Sequence, residues 1–102
     1  MVNILAKLVN MLDYVLETPV DVAKSVSMDF RKLRKNKKVT LKELSERSGV
    51  SISSIKRFEY TGEISFVSLI KIASVLNAEA EIKNLFLNMP PASIEEIING
   101  KY

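Results

Sequence analysis

Hydrophobic positions recur along this chain at three- and four-residue intervals, and no stretch shows the period-two alternation of a half-buried strand. Helices are therefore predicted throughout. At the start, Met1, Leu5, Leu8, Leu12 and Val15 fall on the a and d positions of a heptad. Ile4, Val9, Met11 and Leu16 widen that seam, while Asn3, Lys7, Asn10, Asp13, Tyr14 and Glu17 take the opposite side. The pattern predicts an amphipathic helix over 2–17 whose apolar face needs a protein surface. Two heptads are too few for a stable free coiled coil. Two destinations fit that face: the domain's own core, or a like subunit or partner.

Thr18-Pro19 punctuates the chain. Thr18 can N-cap, Pro19 suits the first helical position, and Asp21 places negative charge at the positive end of the helix dipole. A helix to about residue 36 is predicted, with Val22, Val26, Phe30 and Leu33 as its apolar stripe. Thr40-Leu-Lys-Glu43 is a capping-box pattern opening a short helix, which Ser48-Gly49 stops. Gly49 can adopt the left-handed backbone that a sharp turn between helices requires. Ser51 caps the next helix, with Ile55 and Phe58 on its buried side, and Thr61-Gly62 ends it. Ser65 caps a fourth helix with Leu69, Ile72, Ala73 and Leu76 facing inward. A fifth is predicted over 78–87, with Ile82, Leu85 and Phe86 inward. Pro90-Pro91 breaks the chain, and Ser93-Ile-Glu-Glu96 is a second capping-box pattern in a short tail. The predicted organisation is an amphipathic helix over 1–18, a five-helix domain over 19–88 and a tail over 89–102.

Composition narrows what such a domain can do. The chain has 102 residues, enough for one domain with a core of its own, and neither Cys nor His. Disulfides, thiol nucleophiles, imidazole bases and the usual zinc ligands are excluded, and a reducing, cytoplasmic setting fits. No metal site or cofactor is expected. No apolar stretch is long and charge-free enough to predict a membrane span, and the start lacks the basic region and cleavage site of a signal peptide. The carboxylate pairs Glu43/Glu46 and Glu95/Glu96 lie on predicted helices, where solvation or capping explains them, so an enzyme is not expected.

The net charge of +3 is unevenly spread. Residues 1–20 carry −1, residues 21–60 carry +6 and residues 61–102 carry −2. Within the basic third, RKLRKNKK at 31–38 holds six cations in eight residues. Part of that cluster is explained by the favourable placement of cations at a helix C-terminus; a solvated face or contact with phosphate would account for the rest.

Residues 40–62, TLKELSERSGVSISSIKRFEYTG, thus form a capped helix, a Gly-centred turn and a second capped helix with a hydroxyl-rich, basic face. Counting from Leu41, the fourth, tenth, fifteenth and eighteenth positions are apolar (Leu44, Val50, Ile55, Phe58). The fifth is small (Ser45) and the ninth is Gly49. A small fifth residue lets the helices approach, the ninth turns the chain, and the apolar four lock the angle between them. With these six positions, residues 19–88 resemble the lambda repressor–Cro (Xre-type) helix-turn-helix superfamily. The resemblance implies an all-α, compact five-helix DNA-binding domain, here with an extra N-terminal helix and a short C-terminal tail. Leu41 departs from the family's frequent Gln, so no hydrogen bond to DNA is available from that side chain, and Ser45 replaces the usual Ala.

In that superfamily the first turns of the second motif helix face the major groove. Ser51, Ile52, Ser53, Ser54, Lys56 and Arg57 are the matching candidates. Ile52 can press on a thymine methyl, Ser53 can bond either base type and Lys56 can reach a guanine edge or a phosphate. Ordinary half-burial is the competing reading for Ile52 and helix-start capping for Ser53 and Ser54; DNA contact is the expectation for Lys56 and Ile52, while Ser54 stays open. Thr40, Lys37, Lys38, Lys42, Tyr60 and Thr61 are phosphate candidates, which position without reading sequence. The resemblance also implies a structural ion pair between Arg34 and Glu59.

A narrower similarity lies in TP-x₃-A at 18–23, SGVS-x₃-I-x-RFE-x-TGEIS, and LIKIA-x-VL. These are similar to HipB-like regulators encoded beside HipA-type kinases. They imply an antitoxin that represses its own operon and binds a kinase-fold toxin. The expected reading is a homodimeric repressor on palindromic double-stranded DNA. The alternative is an interaction module whose main task is to neutralise a partner protein.

Overall fold

Helix starts in this protein are set by hydroxyls that the sequence supplies for the purpose. The computed structural model describes residues 2–87, together with 89, 98 and 100, and places α1 at Val2–Leu16, α2 at Pro19–Asn36, α3 at Leu41–Ser48, α4 at Ile52–Thr61, α5 at Phe66–Val75 and α6 at Glu79–Lys83. The described residues contain no strand. Thr18, Thr40, Ser51 and Ser65 each accept the backbone N–H three residues on, at 3.1–3.2 Å. Each such cap contributes about 0.5–2 kcal/mol. No side chain caps α6, whose N-cap position is Ala78, and this helix has only five residues.

The capping boxes are placed differently from the sequence pattern. Thr40 accepts the Glu43 N–H, but the Glu43 carboxylate lies 3.5 Å from Arg47, one turn on, rather than returning to the Thr40 backbone. A basic residue at i+4 competes for it. The reciprocal box forms instead at the start of α2, where the Thr18 N–H donates to Asp21 Oδ2 at 3.0 Å and Asp21 N–H donates to Thr18 Oγ1 at 3.1 Å. The Thr18 backbone bond, then its hydroxyl bond, hold the Asp21 carboxyl below its ordinary pKa, with Lys24 adding a smaller pull.

The core lies where α2, α3, α4 and α5 meet. Phe30, Leu44, Ile55, Phe58, Ile72 and Leu76 fill it, with Val39 and Val50 entering from the connections. The rings of Phe30 and Phe58 sit edge to face, 5.4 Å apart at 67°, the arrangement favoured by the aromatic quadrupole.

The inward face of α2 is rotated by one residue from the predicted stripe. Phe30 is buried and Leu33 packs against the core, but Val22 and Val26 are half exposed. Ser27 and Arg34 are buried in their place, and Ala23 lies against Gly62. The physical reason is close packing of α4 on α2, which small side chains at 23 and 27 permit and two valines would block. Gly62 is part of the same fit. It has φ +81°, and a Cβ there would stand 2.6 Å from the Ala23 carbonyl carbon. The buried Ser27 hydroxyl is satisfied by donating to Lys24 O at 2.9 Å.

One further expectation changes. The helix predicted over 78–87 ends at Lys83, and Phe86 has φ +68°. Leu85 and Phe86 have left the helical path and are exposed rather than inward. Of the two destinations open to the apolar face of α1, the described residues do not take the domain's own core: among them α1 packs on no other helix. Ile4, Leu5, Leu8, Val9 and Leu16 are each at least half exposed. The tail's predicted capping box at 93–96 lies outside the described residues.

The two interhelical glycines give a direct test of this packing. Gly49 has φ +77°, and a methyl group added there would meet nothing within 4 Å. Gly49→Ala is therefore expected to cost about 1–2 kcal/mol for the left-handed backbone alone. Gly62→Ala adds the clash with Ala23 and should cost about 2–5 kcal/mol. Urea unfolding of the two variants measures both, and equal losses would contradict the close α2–α4 contact.

Candidate nucleic-acid interface

Ile55, Phe58 and Glu59 are the buried residues of α4. At 3.6 residues per turn the opposite side of the helix carries Ser53, Arg57 and Tyr60, with Lys56 flanking them. All four are exposed. Ile52, the first residue of the helix, is 38 % exposed, so part of its side chain is free for contact. The fold therefore turns Ser53, Lys56 and Arg57 outward together on one short helix, with the half-exposed Ile52 at the margin of its buried side.

A buried ion pair fastens this helix from behind. Arg34 Nε donates to Glu59 Oε2 at 2.8 Å and Nη2 to Oε1 at 2.9 Å, a bidentate fork. Its remaining nitrogen, Nη1, donates to Val39 O at 3.0 Å. Arg31 Nε approaches Glu59 Oε1 at 3.9 Å from the solvent side. Arg34 and Glu59 are each under a tenth exposed. One guanidinium thereby joins α2, the α2–α3 connection and α4. Such geometry suits arginine specifically, because a lysine ammonium cannot present a planar fork.

The hydroxyls at the start of α4 are largely committed to one another. Ser51 Oγ accepts the Ser54 N–H at 3.2 Å, bonds Ser54 Oγ at 2.8 Å and lies 3.2 Å from Ser53 Oγ. Ser54 is thus placed in capping chemistry, while Ser53 sits on the outward face with room for a second partner. Thr40 and Lys42 are exposed at the start of α3, where free backbone N–H groups favour an anion. Lys38 is exposed, with φ +58° just beyond the end of α2. Lys37 Nζ donates to the Leu76 carbonyl beyond α5, a structural use of one of its three donors.

Sequence reasoning missed one partner. Arg57 is engaged by Glu63, with Nε at 3.0 Å and Nη2 at 2.6 Å from Oε2. The six-residue separation crosses the Gly62 turn, so no helical spacing rule flags it. Among the described residues no group of three or more acidic, His or Cys side chains could hold a metal ion, and no helix is long and apolar enough to cross a membrane.

A capped helix, a left-handed glycine and a second helix with a basic outward face, braced on a small helical domain, define a DNA-binding helix-turn-helix protein. A family model described as helix-turn-helix matches residues 30–82, just over half of the chain. The chain belongs to this family, within the lambda repressor–Cro (Xre-type) superfamily. Comparisons with curated proteins and with solved structures gave no match.

Arg34→Ala or Glu59→Ala leaves a buried charge without its partner and should cost about 3–5 kcal/mol. Replacing both with Met and Leu should recover much of that loss. Chemical denaturation of the two single variants and the double variant measures the coupling.

Proposed function

We propose that this DNA-binding regulator is a sequence-specific transcriptional repressor that acts as a homodimer on a palindromic operator. The carrying observation is the outward face of α4, where Ser53, Lys56 and Arg57 stand free of the core, with Ile52 partly exposed at its edge, on a helix clamped by Glu59. Ile52 supplies an apolar contact for a thymine methyl, and Ser53, Lys56 and Arg57 supply donors for base edges. Ser51 and Ser54 preserve the helix start that aims those side chains. Thr40, Lys38, Lys42 and Tyr60 border the reading face and hold phosphate. Lys37 contributes charge from its tie to the end of α5. One such helix reads only a few base pairs, so two subunits are needed, with half-sites roughly 34 Å apart. An operator-binding role is exercised in the cytoplasm.

The test is selection of bound sequences from a random DNA pool, followed by titration of variants on the selected site. Ile52→Ala and Lys56→Ala should relax preference at particular base pairs. Lys42→Ala should weaken all sequences alike and lower the slope of log affinity against log salt by about one. Identical behaviour of the two classes would refute this division of roles.

A more specific reading makes the protein an antitoxin that represses its own toxin–antitoxin operon and neutralises a kinase-fold toxin. The RFE-x-TGEIS similarity supports it, as does the amount of apolar surface left open. α1 exposes Leu5 and Leu8, and α2, α5 and α6 leave an apolar groove of about 210 Å³ that includes Val26, Leu33, Leu69 and Ile82. Either surface suits a like subunit or a toxin. Deleting residues 1–17 and measuring mass in solution separates these roles. If α1 is the dimer interface, the truncated chain is monomeric; if α1 serves a toxin, it remains dimeric but no longer co-purifies with a kinase-fold partner. A truncated dimer that still retains such a partner would remove α1 from both roles.

A further inference from the structure

We propose that Glu63 is a positioning residue for DNA reading: it holds the Arg57 guanidinium so that its free edge meets a guanine in the major groove. The inference rests on the reading of α4 as the base-contacting helix and adds a residue outside that helix to its specificity.

The geometry is a closed ring of hydrogen bonds at the end of α4. Thr61 Oγ1 donates back to Arg57 O at 2.6 Å. The Glu63 N–H donates to Thr61 Oγ1 at 3.1 Å. The Glu63 carboxylate then accepts from Arg57 Nε and Nη2 at 3.0 and 2.6 Å. Between them Gly62, at φ +81°, turns the chain, and its N–H is fixed to Phe58 O at 2.8 Å. The close approach of Ala23 leaves no space for any other residue at 62 without a shift. Glu63 is therefore aimed by backbone that the core holds in place, even though its side chain and that of Arg57 are both well exposed.

The donor inventory shows what this arrangement leaves available. A guanidinium has five N–H donors. Glu63 occupies the edge formed by Nε and Nη2. The edge formed by Nη1 and the second Nη2 hydrogen stays free, and two parallel donors match the O6 and N7 acceptors of guanine. An exposed arginine otherwise loses considerable rotamer freedom on ordering. Here much of that ordering precedes the encounter. Arg57 shares the outward face of α4 with Ser53, one turn earlier, so a base is within the helix's own line of contact. A carboxylate beside DNA also repels phosphate, so Glu63 should reduce indiscriminate binding while sharpening the choice of base.

The experiment is selection from a random DNA pool with the full chain and with its Arg57→Ala, Glu63→Ala and Glu63→Gln variants, each checked for folding by circular dichroism. Arg57→Ala should lose a guanine preference at one position of each half-site. Glu63→Ala should lose about tenfold of the preference at that same position, keep the neighbouring positions and bind unrelated DNA more tightly. Glu63→Gln, whose amide oxygen still accepts from Arg57, should retain part of the preference. If Glu63→Ala raises affinity for all sequences and leaves the selected motif unchanged, Glu63 merely neutralises charge and the proposal fails. Equal weakening of all sequences by Arg57→Ala makes Arg57 a phosphate contact and also overturns it. Absence of any enriched motif with the unaltered chain refutes sequence-specific regulation itself, and this inference with it.

Discussion

The bidentate pair between Arg34 and Glu59 is the constraint on which the rest of the interface depends. It ties the last turns of α2 to the far end of α4, and through Val39 it also fixes the connection that leads into α3. Both charges are buried, so neither can leave without exposing the other to an apolar surrounding. Such a pair contributes little net stability compared with apolar residues of the same volume. Its effect is directional: a fork and a carboxylate bond only in one plane, and α4 inherits that orientation. The core residues Phe30, Ile55 and Phe58 set how near the helices lie, whereas the pair sets how α4 is rotated.

Close approach is the second constraint, and it comes from small residues. Ala23, Ser27 and Gly62 let α4 settle on α2. Gly62 then turns the chain so that Thr61 and Glu63 fold back on the end of α4. One contact thus serves both packing and the arrangement of a surface arginine. The caps at Thr40 and Ser51 complete the unit by fixing where each motif helix begins, which decides which side chains lie on the exposed face.

Much of this was legible in the chain. Hydroxyl caps, left-handed glycines and apolar spacing act locally, and helix starts, the turn at Gly49 and the buried positions of α3, α4 and α5 follow from them. The outward placement of Ser53, Lys56 and Arg57 follows as well, since helical periodicity alone turns them away from Ile55 and Phe58. The α2 stripe misled because hydrophobicity favoured Val22 and Val26, while the contact selected for size and took Ala23 and Ser27. The length of the last helix misled because its apolar spacing continued past Lys83 without a cap or packing to sustain it.

The sequence by itself determined the class of fold, the helix-turn-helix unit and which side of α4 is left exposed, because each rests on interactions spanning three or four residues. Only the tertiary structure decided which side of α2 is buried, that Lys37 is tied to the end of α5 and that Glu63 grips Arg57. These depend on surfaces meeting across turns, where distance and shape outweigh any local preference.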